Sequence, residues 1–149
     1  MTYRVRSAEE RRAEIQANAA RMGVDEAFIS NLVDTFYQRV RAHTVLGPIF
    51  DGEIGDEWDV HLPKMKDFWS SVATNSGRYA GKPVPAHQKL KGVEPQHFDL
   101  WLGLFRETLD DIAGHPDVPD YFMERAERIA NSLQLAMFGL PSLPRGGEA

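Results

Sequence analysis

The sequence contains no cysteine. Disulfides, thiolate ligation and iron–sulfur clusters are therefore excluded, and any bound metal must take its ligands from histidine or oxygen. Five histidines are available: His43, His61, His87, His97 and His115. A neutral imidazole is a strong nitrogen ligand near neutral pH, so its surroundings decide its use. His43 ends a polar helical stretch and His115 sits in the turn His115-Pro116-Asp117, so both read as solvated. His97 stands one residue before an apolar stripe and reads as surface. His61 falls inside an apolar stripe, where a lone histidine is ordinarily a buried, satisfied side chain. His87 lies among Gly77, Gly81, Pro83, Pro85 and Gly92 and, taken alone, is a loop histidine. Tyr37 and Trp101 also carry polar tips within apolar stripes. Each is either a core residue whose polar atom finds a backbone partner or a donor aimed at a cavity.

The elements that must position these residues read as helices. Ser7-Ala8-Glu9-Glu10 has the form of a capping box and opens a polar helix that ends at Gly23. A second helix from about Asp25 carries Ile29, Leu32, Val33, Phe36, Tyr37 and Val40 on one face. It is expected to give way at Gly47-Pro48, with a turn at Asp51-Gly52-Glu53 after Phe50. A third helix from about Asp56 shows the stripe Trp58, His61, Leu62, Met65, Phe68, Trp69 and Val72, and Pro63 is expected to kink or restart it. Periodicity disappears from Asn75 to Gly92, and a structureless stretch longer than about 12–15 residues in a compact domain is usually functional. A fourth helix opens at Glu94-Pro95 and carries Phe98, Trp101, Leu102, Phe105, Leu109 and Ile112. A fifth runs from about Asp120 through Phe122, Ala126, Ile129, Leu133 and Met137 to Gly139. This is an all-α chain of five helices, divided as a polar N-terminal helix (1–22), a main domain (23–140) and a flexible tail (141–149).

Composition narrows the partners. With 149 residues, 42% hydrophobic and 26% charged, the chain is one ordinary domain, large enough to enclose a cofactor. A net charge of -5 argues against nucleic acid, whose phosphates need a basic face, and against anionic lipid. No apolar run approaches the roughly 18 residues of a membrane span, and Met1-Thr2-Tyr3-Arg4 is no apolar signal region, so a cytoplasmic location is expected.

Three blocks carry a resemblance: Phe36-Tyr37-Gln38-Arg39-Val40 leading into Leu46-Gly47-Pro48-Ile49-Phe50, then His61-Leu62-Pro63-Lys64-Met65-Lys66-Asp67-Phe68-Trp69, then Pro95-Gln96-His97-Phe98-Asp99-Leu100-Trp101-Leu102-Gly103-Leu104-Phe105. In this order, with His87 in a Gly/Pro stretch between the second and third, the chain resembles the truncated haemoglobins, most of all their third group. The likeness runs from about Asn31 to Phe138. It implies a two-over-two helical sandwich, with the proximal helix reduced to about one turn after a long loop.

The resemblance further implies haem b (iron protoporphyrin IX) held by His87 as proximal iron ligand, with the opposite axial position open to a diatomic ligand. Tyr37 would sit above the iron, His61 at the distal gate and Trp101 at the far wall, and these three are the candidate catalytic residues. Three roles compete for His61: gate, donor to the ligand, or second axial ligand. Phe50 would pack on the haem face and Lys64 would reach a propionate, although Lys64 reads equally well as an exposed lysine. Met65, Phe68, Tyr79, Leu90, Phe98 and Trp101 complete the expected cofactor contacts, with Lys66 and Arg78 as weaker alternatives. Two donors to a ligand that carries partial negative charge contribute about 3–6 kcal/mol, or roughly 10²–10⁴ in its release rate. That favours redox chemistry on the ligand over simple carriage. The expected partners are O2, CO and NO, with peroxide and cyanide as further ligands and a reductase if the protein turns over. A monomer is expected, with a dimer as the alternative. A non-catalytic sensor or scavenger and a haem-free helical interaction domain are the competing readings.

Overall fold

A computed structural model describes residues 7–79 and 92–139. The described residues form six α-helices and no strand. These are α1 (Ala8–Arg21), α2 (Glu26–Ala42), α3 (Leu46–Ile54), α4 (Trp58–Thr74), α5 (Pro95–Ile112) and α6 (Val118–Phe138). Helix α2 packs on α4 and α5 packs on α6, while α2 also lies against α5 and α4 against α6. One helix pair thus covers the other. The expected reduced proximal helix and the expected flexible tail, 141–149, fall outside the described residues.

The helix boundaries follow local chemistry. Ser7 Oγ accepts from the Glu10 N–H at 3.1 Å and Glu10 Oε1 accepts from the Ser7 N–H, which closes the capping box of α1. At the other end the Val24 N–H donates to Ala19 O at 2.8 Å and Gly23 donates to Ala20 O. Gly23 has φ +75, the left-handed conformation that this C-terminal motif demands and that glycine adopts without penalty. The contact partners across that turn, Ala19 and Val24, are both buried and tie α1 to the domain. Asp25 caps α2 through Phe28 N–H at 2.8 Å.

The expected five helices are corrected to six among the described residues, because a short helix, α3, stands where a break and a turn were expected. The chain does not break at Gly47-Pro48, and Asp51-Gly52-Glu53 is not a turn, because all of these residues lie in α3. Proline in the first helical turn loses a donor that has no partner there anyway. Gly47 is present for another reason: a Cβ at this position would stand 2.6 Å from the Arg41 carbonyl oxygen. Only glycine lets α3 approach the end of α2 this closely. The second correction concerns Pro63, which neither ends nor restarts its helix, since α4 runs continuously from Trp58 to Thr74. The carbonyl deprived of its bond is that of Asp59, an exposed residue whose carbonyl water can satisfy. The third expected helix starts at Trp58 rather than Asp56, and the last at Val118 rather than Asp120.

The core is aromatic. Trp69 of α4 stacks on Phe105 of α5 with ring centroids 4.9 Å apart, and Trp101 stacks on the same Phe105 at 5.3 Å. Phe36 of α2 meets Phe105 edge-on at 4.9 Å and Trp101 at 5.3 Å. Phe122 of α6 closes the group against Trp69 at 6.1 Å. Edge-to-face and offset arrangements such as these are the favourable ones for aromatic pairs. A smaller cluster forms where Phe98 of α5 meets Ala130 and Leu133 of α6.

The steric reading of Gly47 gives a stability prediction. Gly47→Ala should cost about 1–3 kcal/mol by overpacking and lower the thermal midpoint by about 3–10 °C. Calorimetry showing an unchanged midpoint would mean that the α2–α3 approach is loose.

Candidate functional site

Adjacent residues on α2 face different surroundings, since each step along a helix turns the side chain by about 100°. Phe36 enters the core. Tyr37 enters a second aromatic group, with its ring 6.0 Å from Phe50, 5.9 Å from Trp58 and 6.3 Å from His61. It also meets Phe36 at 5.0 Å. His61 stands perpendicular to Tyr37 and, three residues along α4, perpendicular to Trp58 at 6.0 Å. Residues far apart in sequence are thus gathered around one phenol.

Tyr37 is only 5% exposed, and its hydroxyl makes no hydrogen bond with any described residue. Among the described residues no side-chain nitrogen or oxygen is both sealed from solvent and unpaired, so this oxygen keeps a narrow opening. Burial pushes the phenol pKa well above its ordinary 10.0, because the charged form is poorly solvated there. A phenol is already neutral at physiological pH with its ordinary 10.0, and burial only strengthens that preference. A buried donor of this kind is costly unless an acceptor reaches it.

The remaining predicted residues are placed as follows. Trp101 is half-buried and joins Tyr37 through their shared neighbour Phe36. Phe50, Met65 and Phe68 are half-buried apolar side chains packed on the core. Met65 and Phe68 lie four and seven residues after His61, on its side of α4. Tyr79 stands edge-on to Phe68 at 5.1 Å, and its N–H donates to Ser71 Oγ at 2.9 Å. Phe98 belongs to the separate smaller cluster, not to the group around Tyr37. Lys64 is exposed. Lys66 pairs with Asp34 at 3.0 Å and Arg78 with Glu26 at 3.3 Å, so both weaker candidates already have acidic partners. His87 and Leu90 lie outside the described residues.

Three other histidines have structural work that sequence reasoning missed. His43 is half-buried rather than solvated, and its Nδ1 accepts the N–H groups of Val45 and Leu46, both at 3.1 Å, at the start of α3. His97 Nδ1 accepts the Glu94 N–H at 2.9 Å at the start of α5. His115 is likewise half-buried rather than solvated, and its Nδ1 accepts the Asp117 N–H at 3.1 Å at the start of α6. Each satisfies backbone donors that a helix start leaves open. Trp58 was also missed as a site residue. Its spacing to His61 was visible, but its contact with Tyr37 depends on how α2 and α4 pack.

The arrangement fits a flat apolar cofactor with a ligand on one face. Phe50, Leu62, Met65, Phe68 and Trp101 present partly uncovered apolar surface, and the Tyr37 hydroxyl, which has no hydrogen bond with a described residue, lies on the side of Phe50 and Leu62. Apolar walls with few convergent polar groups are the usual make-up of a cofactor site. Among the described residues no group of three or more His, Asp or Glu side chains could hold a bare metal ion. No helix described is long and apolar enough to cross a membrane.

Comparison with known proteins agrees with this geometry. The sequence model of the bacterial-like globins matches residues 20–135. The chain is 32% identical to the group 3 truncated hemoglobin ctb of Campylobacter jejuni over 118 residues, covering 77% of this chain and 92% of that protein. It is 26% identical to the group 2 truncated hemoglobin YjbI of Bacillus subtilis over 120 residues, covering 78% and 88%. The crystal structure of the group III truncated hemoglobin from Campylobacter jejuni superposes with a TM-score of 0.72 at 32% identity, covering 76% of this chain and 91% of that one. The chain belongs to the bacterial-like globins, with a truncated globin fold most like that of group III, and this membership implies haem-based ligand binding.

Proposed function

We propose that the protein holds haem b through His87 and binds O2 and related diatomic ligands on the side of Tyr37 and His61, where the ligand reacts rather than being simply carried. The observation that carries this reading is the Tyr37 hydroxyl, buried among aromatic rings with no hydrogen bond to a described residue. When bound, haem supplies the iron centre to which such a ligand attaches. The rest falls to side chains of this chain.

The His87 assignment comes from the family resemblance. It is supported by His43, His97 and His115, whose Nδ1 atoms are engaged at helix starts. Tyr37 donates to the ligand, and its raised pKa guarantees that the proton is present. His61 guards the entrance, close enough to Tyr37 to share the ligand. The Trp101 indole closes the far wall. Phe50, Met65, Phe68, Tyr79, Leu90 and Phe98 supply apolar contacts, and Lys64 meets a propionate. Donors fixed before the ligand arrives favour charge developing on it, as in O–O cleavage or reaction with NO. Conversion of O2 and NO to nitrate draws an electron from outside the protein, so a reductase belongs to this reading. The protein acts as a cytoplasmic monomer, its main domain spanning residues 23–140.

Three outcomes test these assignments. In stopped-flow displacement, Tyr37→Phe should release O2 about tenfold faster or more, as expected for loss of a bond to a charged acceptor. An unchanged rate removes Tyr37 as a donor. His87→Ala should lose tightly held haem to apomyoglobin, and normal retention would move the ligand elsewhere.

The third outcome concerns pH. Because the folded-state pKa of Tyr37 is raised, the neutral form is favoured on folding. Stability from this group is complete below its ordinary 10.0 and is lost as pH rises above that value. The ratio of release rates between Tyr37→Phe and wild type should therefore stay flat up to pH 10.0. An inflection below that pH would contradict a neutral donor.

A further inference from the structure

We infer that Trp58, tied down by Asp51 and Arg41, is a positioning residue that holds Tyr37 and His61 in register for the ligand. This rests on the reading of Tyr37 as a donor. The Trp58 indole N–H donates to Asp51 Oδ1 at 3.0 Å. Arg41 approaches the same carboxylate oxygen at 3.6 Å through Nε, and its guanidinium lies over the Trp58 ring, 4.6 Å from the centroid. One indole is thus fixed at its nitrogen by an anion and on its face by that anion's counter-ion.

The three residues come from three helices. Arg41 is in the last turn of α2, Asp51 is in α3, and Trp58 is the first residue of α4. Their meeting point is where the end of α2 and the start of α4 must hold a fixed separation. Tyr37 stands one turn before Arg41 on α2, and His61 stands one turn after Trp58 on α4. The buried Trp58 ring touches both, at 5.9 Å and 6.0 Å, while those two rings are 6.3 Å apart. The result is a closed triangle of rings whose Trp58 corner is anchored by Asp51 and Arg41.

The anchor is needed because there is room to move. A groove of about 550 Å³ opens beside the triangle, lined by Tyr37, Arg41, Asp51, Trp58 and Leu62 among others. An indole released from Asp51 can turn into this space, and Tyr37 and His61 then lose their shared backing. Arg41 and Asp51 are each about half exposed, 49% and 49%. Their mutual attraction alone is therefore weak and screened by salt. The hydrogen bond to the buried indole is the stronger restraint, and the guanidinium above the ring adds a cation–π contact.

The test compares Asp51→Ala, Asp51→Asn and Trp58→Phe, reading O2 release, the infrared CO stretching band and thermal stability. Asp51 is exposed, so its variants should fold. Asp51→Ala should release O2 about fivefold faster, as expected when one ordinary hydrogen bond is weakened. Its CO band should broaden or split as the ring triangle loosens. Asp51→Asn keeps an acceptor for the indole and should restore most of the wild-type behaviour. Trp58→Phe should resemble Asp51→Ala, and the double variant Asp51→Ala/Trp58→Phe should be no worse than Trp58→Phe alone, since both remove the same bond. A lowered thermal midpoint with wild-type release and an unchanged CO band would overturn the inference, leaving the cluster a structural clamp. Tyr37→Phe separates the possible failures. Unchanged release there overturns the donor reading and this inference with it. Faster release there, with wild-type behaviour in the Asp51 and Trp58 variants, overturns only the positioning role.

Discussion

Edge-on packing of Phe36 against Phe105 and Trp101 is the contact to which the rest of the molecule is referred. It fixes α2 on α5, and Phe105 passes the constraint to α4 by stacking on Trp69. Once α2 is seated by Phe36, its next residue has no choice of direction. Tyr37 must turn away from Phe105 and Trp101, to another side of the core formed with Phe50, Trp58 and His61. Core and site are therefore one construction, and a change that loosens the aromatic column also moves the phenol.

The electrostatics of the site have the same origin. Nothing charged is needed to make Tyr37 a donor, because a phenol keeps its proton near neutral pH and burial reinforces this. The charged groups nearby, Arg41 and Asp51, stay at the half-exposed rim and act on Trp58 instead. This division keeps ions out of the apolar interior, where they would be costly, and leaves a neutral hydrogen-bonding environment for a ligand. At the backbone level, imidazole rings at the starts of α3, α5 and α6 accept the open amide donors. Histidine here serves as a capping acceptor as well as a candidate ligand residue.

Much of this was legible in the sequence where a single helix carried the information. The α2 stripe from Ile29 to Val40 is buried as its spacing predicted, and the Ser7 and Asp25 caps fell where their side chains could reach. Helix α3 was not legible, because Gly47, Pro48 and Gly52 look like breakers. Gly47 serves the close approach to Arg41 and Pro48 sits in a tolerant first turn, while nothing in the structure explains Gly52. The adjacency of Tyr37, His61 and Phe50 came from family resemblance rather than periodicity. The roles of His43 and His115 stayed hidden, since a capping bond depends on backbone geometry that composition does not reveal. The Arg41–Asp51–Trp58 cluster joins three helices, and no spacing rule on one of them could have found it. His87, on which the cofactor assignment turns, lies outside the described residues.

The central claim is a haem held by one histidine with its other face open to ligands. The most direct measurement is the visible spectrum of the haem-loaded protein, reduced under argon and then exposed to CO. The account predicts a single broad ferrous band that shifts sharply when the gas is admitted. Split ferrous bands before the gas would contradict it, because they require a second axial ligand from the chain and a closed site. Absence of a Soret band after reconstitution would contradict it more deeply, by removing the cofactor.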